Sequence, residues 1–283
     1  MLNGCAYILT VDVGNTFIRF GLFAEDSAAA QERPLATCEI TTPARITADE
    51  ARMRLLQVMG ALAADAGVPG VLVSAAAVLS CVVPALERPW KAALSRTCTG
   101  RVLTVGPGLK TGMPVHYDDP AEIGPDRIAD AVAARAVYGS PCIVIDLGTT
   151  TNIEVIDARG TFVGGVIAPG LALGARSLSA AAARLPQVEP SAPTHVIGRN
   201  TREAMRSGVV LGEVARIDGM LDMVLAEMRA TKAAGEGNVP IVITGDDAEA
   251  LAALVGHSLT VDDALTLRGL AELYRINQKP RRA

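Results

Sequence analysis

The sequence predicts an α/β protein of two domains made by duplication. Strand-like and helix-like stretches alternate along the chain, the pattern of a sheet layered with helices. One motif also recurs. Tyr7–Thr16 reads YILTVDVGNT and Cys142–Thr151 reads CIVIDLGTTT. In both, apolar or β-branched residues lead to Asp-x-Gly and then to small hydroxyl or amide residues. A second apolar run follows each, Phe17–Phe23 and Ile153–Ile156. Strand, glycine turn, strand is the simplest reading of either copy. One copy early in each half points to a repeated domain.

The remaining elements follow in order. Ala48–Ala66 has helical periodicity with acidic residues early, and Gly67-Val68-Pro69 stops it. Val71–Ala77 reads as a short strand, Pro84–Ser95 as a helix, Val102–Val105 as a strand and Gly106–Pro114 as a Gly/Pro-rich connection. Arg127–Tyr138 reads as a helix halted by Gly139, and Thr161–Ile167 as a strand. Leu171–Arg184 reads as an alanine-rich helix ended by Pro186. Asn200 and Glu203 resemble a capping box opening one long helix toward Ala230. Pro240–Thr244 and Ala264–Tyr274 close the chain as strand and helix. A boundary between residues 115 and 125 separates the two copies and is placed to give domains 1–118 and 119–283.

Composition narrows the function classes. The chain has 283 residues, enough for two cores, and half of them are hydrophobic and a fifth charged, as in ordinary globular proteins. A net charge of −4 with scattered basic residues gives no reason to expect nucleic acid, and the tail Lys279, Arg281, Arg282 reads as a solvated end. No apolar run approaches the roughly 20 residues of a membrane helix, and Ala6–Val11 is too short for a secretory signal. Cys5, Cys38, Cys81, Cys98 and Cys142 are odd in number and never spaced C-x-x-C. That spacing argues against zinc or a disulfide framework and fits a reducing cytoplasm.

Paired Asp-x-Gly turns suit nucleotide chemistry. A glycine at the tip lets backbone approach a phosphate. Successive N–H groups there form an anion-binding concavity to which hydroxyl and amide side chains add donors. An Asp at the strand end can hold a hydrated Mg²⁺. Asp12, Gly14, Asn15 and Thr16 would form one jaw of a triphosphate clamp, and Asp146, Gly148, Thr149, Thr150 and Thr151 the other. An ordinary hairpin accounts for either turn alone; their pairing favours the clamp. No P-loop, no G-x-G-x-x-G after the first strand, no G-x-S-x-G and no H-E-x-x-H occurs.

Between the jaws, Tyr117–Arg127 gathers Asp118, Asp119, Glu122 and Asp126 beside Arg127. The cluster serves equally well as a charged helix cap. Functionally, Asp126 could accept a proton from a substrate hydroxyl while Arg127 grips a substrate carboxylate in a bidentate contact. Phosphoryl transfer needs little more than such positioning.

In order, these pieces resemble the type III pantothenate kinases of the acetate kinase, heat-shock chaperone and actin superfamily. Asp12–Thr16 (DVGNT) is similar to the family's first phosphate motif, and Ser80–Pro84 (SCVVP) to its S-V-V-P segment. Tyr117-x-x-Pro120 with Gly124-x-Asp126-Arg127 resembles the substrate motif, and Asp146-x-Gly148-Thr149 the second phosphate motif. Gly164–Gly170, Leu185–Val188 and Gly198–Met205 complete the set. The resemblance implies two ribonuclease-H-like domains with ATP in the cleft between them, and transfer of the γ-phosphate to the hydroxyl of pantothenate. It implies Asp126 as the proton acceptor and Tyr117, Gly124, Pro125, Asp126 and Arg127 around pantothenate. It puts Asp12 through Arg19 and Thr149 on ATP with Mg²⁺, and Asp146 at a K⁺ or ammonium site. It also implies a homodimer in which Thr201 reaches the substrate of the other subunit. The small residues Gly208, Gly212, Ala215 and Gly219 would suit a dimer seam, or plain internal packing.

Three departures from the family pattern bear on ATP. Thr149-Thr150-Thr151-Asn152 stands for the usual T-A-T-T, Glu154 for a frequent Asp, and Thr244-Gly245-Asp246 for T-G-G. A left-handed conformation at Asp246 would be strained. Two rival readings therefore remain: a kinase-fold regulatory or binding protein whose turnover is weakened by Asn152 and Asp246, and a kinase for another small hydroxy acid.

Overall fold

The structure is a computed structural model describing residues 7–25, 33–68 and 75–278. The chain divides into two units, Met1–Val137 with Ala264–Ala283, and Tyr138–Asp263. In the first, β1 (Tyr7–Val13), β2 (Phe17–Ala24) and β3 (Ala36–Thr41) form an antiparallel meander. On the other side of β1 lie β4 (Ala75–Cys81) and β5 (Val102–Thr104), both running with it, so the order is β3-β2-β1-β4-β5. β4 is buried over all but its last residue, and β1 over all but its first, as expected of strands covered on both faces.

One cover is the pair α1 (Ala48–Asp65) and α2 (Pro84–Thr97). Their Leu55, Leu62 and Trp90 close a core with Leu9, Val11, Phe20 and Leu79 from the sheet. α1 begins at a capping box in which Glu50 N–H donates to Thr47 Oγ1 at 3.2 Å and Thr47 N–H donates to Glu50 Oε2 at 2.8 Å. α3 (Pro125–Tyr138) belongs to this unit up to Val137.

The second unit repeats the plan. β6 (Cys142–Leu147), β7 (Thr150–Ile156) and β8 (Phe162–Pro169) form the meander, and β9 (Ile241–Gly245) and β10 (Thr260–Val261) run parallel to β6 on its other side, in the order β8-β7-β6-β9-β10. Three antiparallel strands extended by two parallel ones, twice over, is a duplicated ribonuclease-H-like fold. Its helices are α4 (Leu171–Ala181), α5 (Thr201–Arg206), α6 (Gly212–Ala230) and α7 (Ala248–Ala252). Val210, Val214, Ile217 and Leu221 of the helical segment pack on Ile143, Ile145 and Ile153 of the sheet.

The structure departs from the sequence reading in five places. The last helix, α8 (Leu265–Ile276), lies against β1, β2 and β4 of the first unit. The break therefore falls at 137/138, with residues 264–283 returned to the first unit, instead of at 118/119. An amphipathic helix advertises its apolar stripe but not the sheet that stripe will meet. The helix expected from Asn200 to Ala230 contains a wider π-helical turn at Ser207–Leu211. The alanine-rich helix stops at Ala181. β3, β10 and α7 were not expected. Residues 71–74 of the expected fourth strand, together with Cys5 and the basic tail, lie outside the described residues, and β4 runs on to Cys81. Among the described residues, no helix is long and apolar enough to cross a membrane.

Candidate functional site

The first Asp-x-Gly turn joins β1 to β2. Gly14 N–H donates to Phe17 O at 3.0 Å, closing the turn, and Thr42 Oγ1 donates to Gly14 O at 2.8 Å, tying it to the end of β3. Asn15 and Thr16 form its exposed tip. Asp12 sits at the end of β1, level with Arg19 on β2 and Ser80 on β4. It is 7% exposed, and its Oδ1 has no hydrogen-bond partner among the described residues. Burial, and after it the neighbouring Asp126 carboxylate, push its pKa up to about 6. A buried carboxylate raised in this way is a ready seat for a hard cation, which favours oxygen donors. Arg19 Nε donates to Glu39 Oε2 at 3.0 Å on the more exposed side of β2.

Asp126 is the second residue of α3, after Pro125 at the position where proline's missing N–H costs nothing. Arg127 N–H donates to Asp126 Oδ1 at 2.8 Å. Burial raises the Asp126 pKa, while backbone N–H groups and the Arg127 guanidinium oppose the rise. Arg127 itself is buried. Beside this helix start opens a cavity of about 400 Å³, lined by Cys81, the loop Gly106–Leu109, Met113, Ile123, Pro125 and Ile128. Its lining residues are mostly apolar, and it meets α3 at Pro125 and Ile128, which stand before and after Asp126 in the chain. Tyr117 is half-buried in the segment leading to α3.

The second turn joins β6 to β7. Gly148 N–H donates to Thr150 O at 3.0 Å, and Gly170 N–H donates to Thr149 O at 3.0 Å. No side chain fits at Gly170, because a Cβ there would overlap the carbonyl oxygen of Gly148. Gly148, Thr149 and Thr150 are partly exposed, whereas Thr151 is buried with its Oγ1 donating to Glu213 Oε1 at 2.6 Å. Asp146 lies level with Asn152 on β7 and Thr244 on β9, so three oxygen-bearing side chains sit side by side across the strands. Such a mixture of charged and neutral oxygens fits a large, weakly hydrated cation.

Asp246 does not adopt the left-handed conformation that would strain it. The left-handed residue is Gly245, at φ +99°, where a Cβ would overlap Leu147 O. Asp246 is exposed, and its N–H donates to Leu147 O at 2.9 Å. Thr201 is exposed at the start of α5, behind Asn200, whose Oδ1 accepts from Glu203 N–H at 3.0 Å. The expected residues thus fall in two sets. Asp12, Gly14, Asn15, Thr16, Arg19, Tyr117, Gly124, Pro125, Asp126 and Arg127 belong to the first unit, and Asp146, Gly148, Thr149, Thr150, Thr151 and Thr201 to the second. Sequence reasoning missed Glu213 and Arg216, which look like an ordinary solvated pair on a helix until burial is known.

A family profile for type III pantothenate kinase matches residues 8–223. The chain is 39% identical over 277 residues to a type III pantothenate kinase of Koribacter versatilis, covering 96% of both chains. It is 40% identical over 280 residues to one of Nocardia farcinica, covering 97% of this chain and 99% of that one. Among solved structures, a Campylobacter jejuni protein described as a Baf family transcriptional activator superposes with a TM-score of 0.56 at 18% identity, over 95% of this chain and 98% of that one. The ethanolamine utilization protein EutJ of Carboxydothermus hydrogenoformans superposes at 0.53 and 15%, over 94% and 89%. At those identities the likeness concerns the fold alone. Identity of 39–40% to pantothenate kinases over nearly the whole chain, on a scaffold with both glycine loops and a half-buried acid at a helix start, places the chain in the type III pantothenate kinase family, which phosphorylates pantothenate with ATP in coenzyme A biosynthesis.

Proposed function

We propose that Asp126 is the general base of this reaction and that the apolar cavity beside it receives the branched, dimethyl-bearing end of pantothenate. The observation that carries this is a half-buried carboxylate of raised pKa at a helix start whose Pro125 and Ile128 line an apolar hollow. Asp126 takes the proton of the primary hydroxyl as the oxygen–phosphorus bond forms, and ADP leaves with the electrons of the broken bond. A raised pKa makes a carboxylate a better proton acceptor near neutral pH. Arg127 holds the carboxylate end of the substrate, and Tyr117 contacts the substrate from the segment leading to α3.

On the ATP side, Asp12, Gly14, Asn15, Thr16 and Arg19 of one loop and Gly148, Thr149 and Thr150 of the other supply the phosphate contacts, with the expected fourth residue, Thr151, buried behind them. Asp12 would hold Mg²⁺, which offsets charge on the β- and γ-phosphates when bound. Asp146 would hold K⁺ or ammonium. We further propose a cytoplasmic homodimer with Thr201 reaching the substrate of the other subunit. In support, nothing among the described residues lies within 4 Å of a Cβ built on Gly208, Gly212 or Gly219. Internal packing therefore does not require those glycines, which supports the reading of a seam there.

The test is a coupled assay with purified protein, ATP, Mg²⁺, K⁺ and pantothenate, run for wild type and Asp126→Asn. Turnover that survives in the variant removes Asp126 from the role. Pantothenate binding without any wild-type turnover returns the regulatory reading, and turnover with a different hydroxy acid alone moves the substrate.

A further inference from the structure

The second glycine loop is braced from beneath by α6. Thr151 is 3% exposed and Glu213 5% exposed, and the hydroxyl donates to the carboxylate at 2.6 Å. Glu213 Oε2 also accepts from Arg216 Nη2, and the same nitrogen donates to Pro169 O at 2.5 Å. Pro169 ends β8 opposite Thr150, and the next residue, Gly170, donates to Thr149 O. The chain of contacts therefore leaves the loop at Thr151 and returns to it at Thr149 and Thr150. The π-helical turn at Ser207–Leu211 immediately precedes α6 and resets the facing of the helix.

We infer that Glu213 and Arg216 are positioning residues for the phosphate-contacting loop, and that Thr151 is their anchor and not itself a phosphate donor. A hydroxyl has a single proton. In Thr151 that proton is committed to a carboxylate, which when ion-paired to Arg216 has none to give back. The oxygen left over is an acceptor, and an acceptor gains nothing from facing a phosphate. Thr149, Thr150 and the backbone N–H groups remain as the donors. Burying an ion pair costs desolvation and is no better for stability than an apolar side chain of the same size, whereas a short, charge-assisted bond fixes one geometry. This rests on the reading of Gly148–Thr151 as a nucleotide loop.

The test is steady-state kinetics of the full-length enzyme carrying Thr151→Val, Thr151→Ser, Glu213→Gln, Glu213→Leu, the Val/Leu double variant, and Thr149→Val. Thr151→Val and Glu213→Leu should each raise KM for ATP about tenfold and leave KM for pantothenate within about twofold. The double variant should be no worse than the worse single one. Thr151→Ser should return to near wild type, and Glu213→Gln, which keeps the volume and one acceptor oxygen, should fall in between. If Glu213→Leu does not fold, Glu213→Gln and Thr151→Val decide the matter. Additive effects, an equal rise in both KM values, or an unchanged ATP KM in Thr151→Val and the Glu213 variants while Thr149→Val is impaired, would overturn the brace and leave the nucleotide loop standing. An unchanged ATP KM in Thr149→Val as well would remove the nucleotide reading itself.

Discussion

Gly124 lies so close to Asp126 that a Cβ added to the glycine would overlap Asp126 Oδ1. The clearance is what allows the carboxylate to take the N–H of Arg127 while pointing at the helix start. Gly124→Ala should therefore displace the acid without disturbing a core. We expect kcat to fall about a hundredfold, since small misplacements of a catalytic group cost about that much, with the melting temperature nearly unchanged. Calorimetry beside the coupled assay checks both halves; a variant with wild-type kcat would separate the glycine from catalysis.

The pH dependence follows from the same carboxylate. A base works only when deprotonated, and burial raises the Asp126 pKa. Activity should thus fall as pH drops, over a range above the ordinary carboxylate pKa near 4. Asp126→Asn should lower kcat by about 10² to 10⁴ and flatten that acidic limb. A pH profile of kcat/KM for pantothenate on both proteins provides the measurement.

Asp12 makes a prediction about stability. Its folded pKa of about 6 lies above its unfolded value, so the folded protein binds the extra proton between roughly pH 4 and 6. The charged, buried group therefore costs stability above pH 6, and the cost is lifted as pH falls through that window. A shift of this size corresponds to roughly 3 kcal/mol. In metal-free protein, Asp12→Asn should raise the midpoint of denaturant unfolding at pH 8 and change it little at pH 4. Equal effects at both pH values would contradict the assignment.

At the β9 turn, the two residues Gly245 and Asp246 should respond in opposite ways. Gly245→Ala places a Cβ on a left-handed backbone and against Leu147 O, and should destabilise by more than about 1 kcal/mol. Asp246→Gly alters an exposed residue with an ordinary backbone, and should stay within about 1 kcal/mol of wild type. Urea unfolding of the two variants checks the contrast.

Exchange of the monovalent cation completes the set. If Asp146, Asn152 and Thr244 frame a site for K⁺ or ammonium, replacing both ions by Na⁺ should lower activity at constant ionic strength, and Asp146→Asn should abolish the difference. Indifference to the ion would discard the site.

What the sequence made legible follows from the periodicity each element carries. The hairpins at Gly14 and Gly148 stood out because buried strands of β-branched residues end abruptly in Asp-x-Gly. β3 did not: Ala36–Thr41 alternates between half-buried and exposed residues at a sheet edge, and its apolar signal is weak. The π-helical turn was hidden because its five residues carry no local mark of a changed period. Asp126 and Arg127 were legible as types in a spacing. The brace on Thr151 was not, since Glu213 and Arg216 three residues apart look like a surface pair. Only the packing of α6 on its sheet puts the carboxylate inside. Whether Asp246 would be left-handed stayed open, because a T-G-D sequence does not say which residue turns; the residue that does is Gly245.

The return of α8 to the first sheet bears on the order in which the protein is made. Synthesis runs from the N-terminus, and the amino-terminal unit lacks one of its own covering helices until Leu265–Ile276 has been made, after the whole of the second unit. Tyr138–Asp263, by contrast, is one uninterrupted stretch that has everything it needs beforehand. The later-encoded unit is thus free to mature first, and the strand bearing Asp12 stays open on the α8 side until α8 has been made.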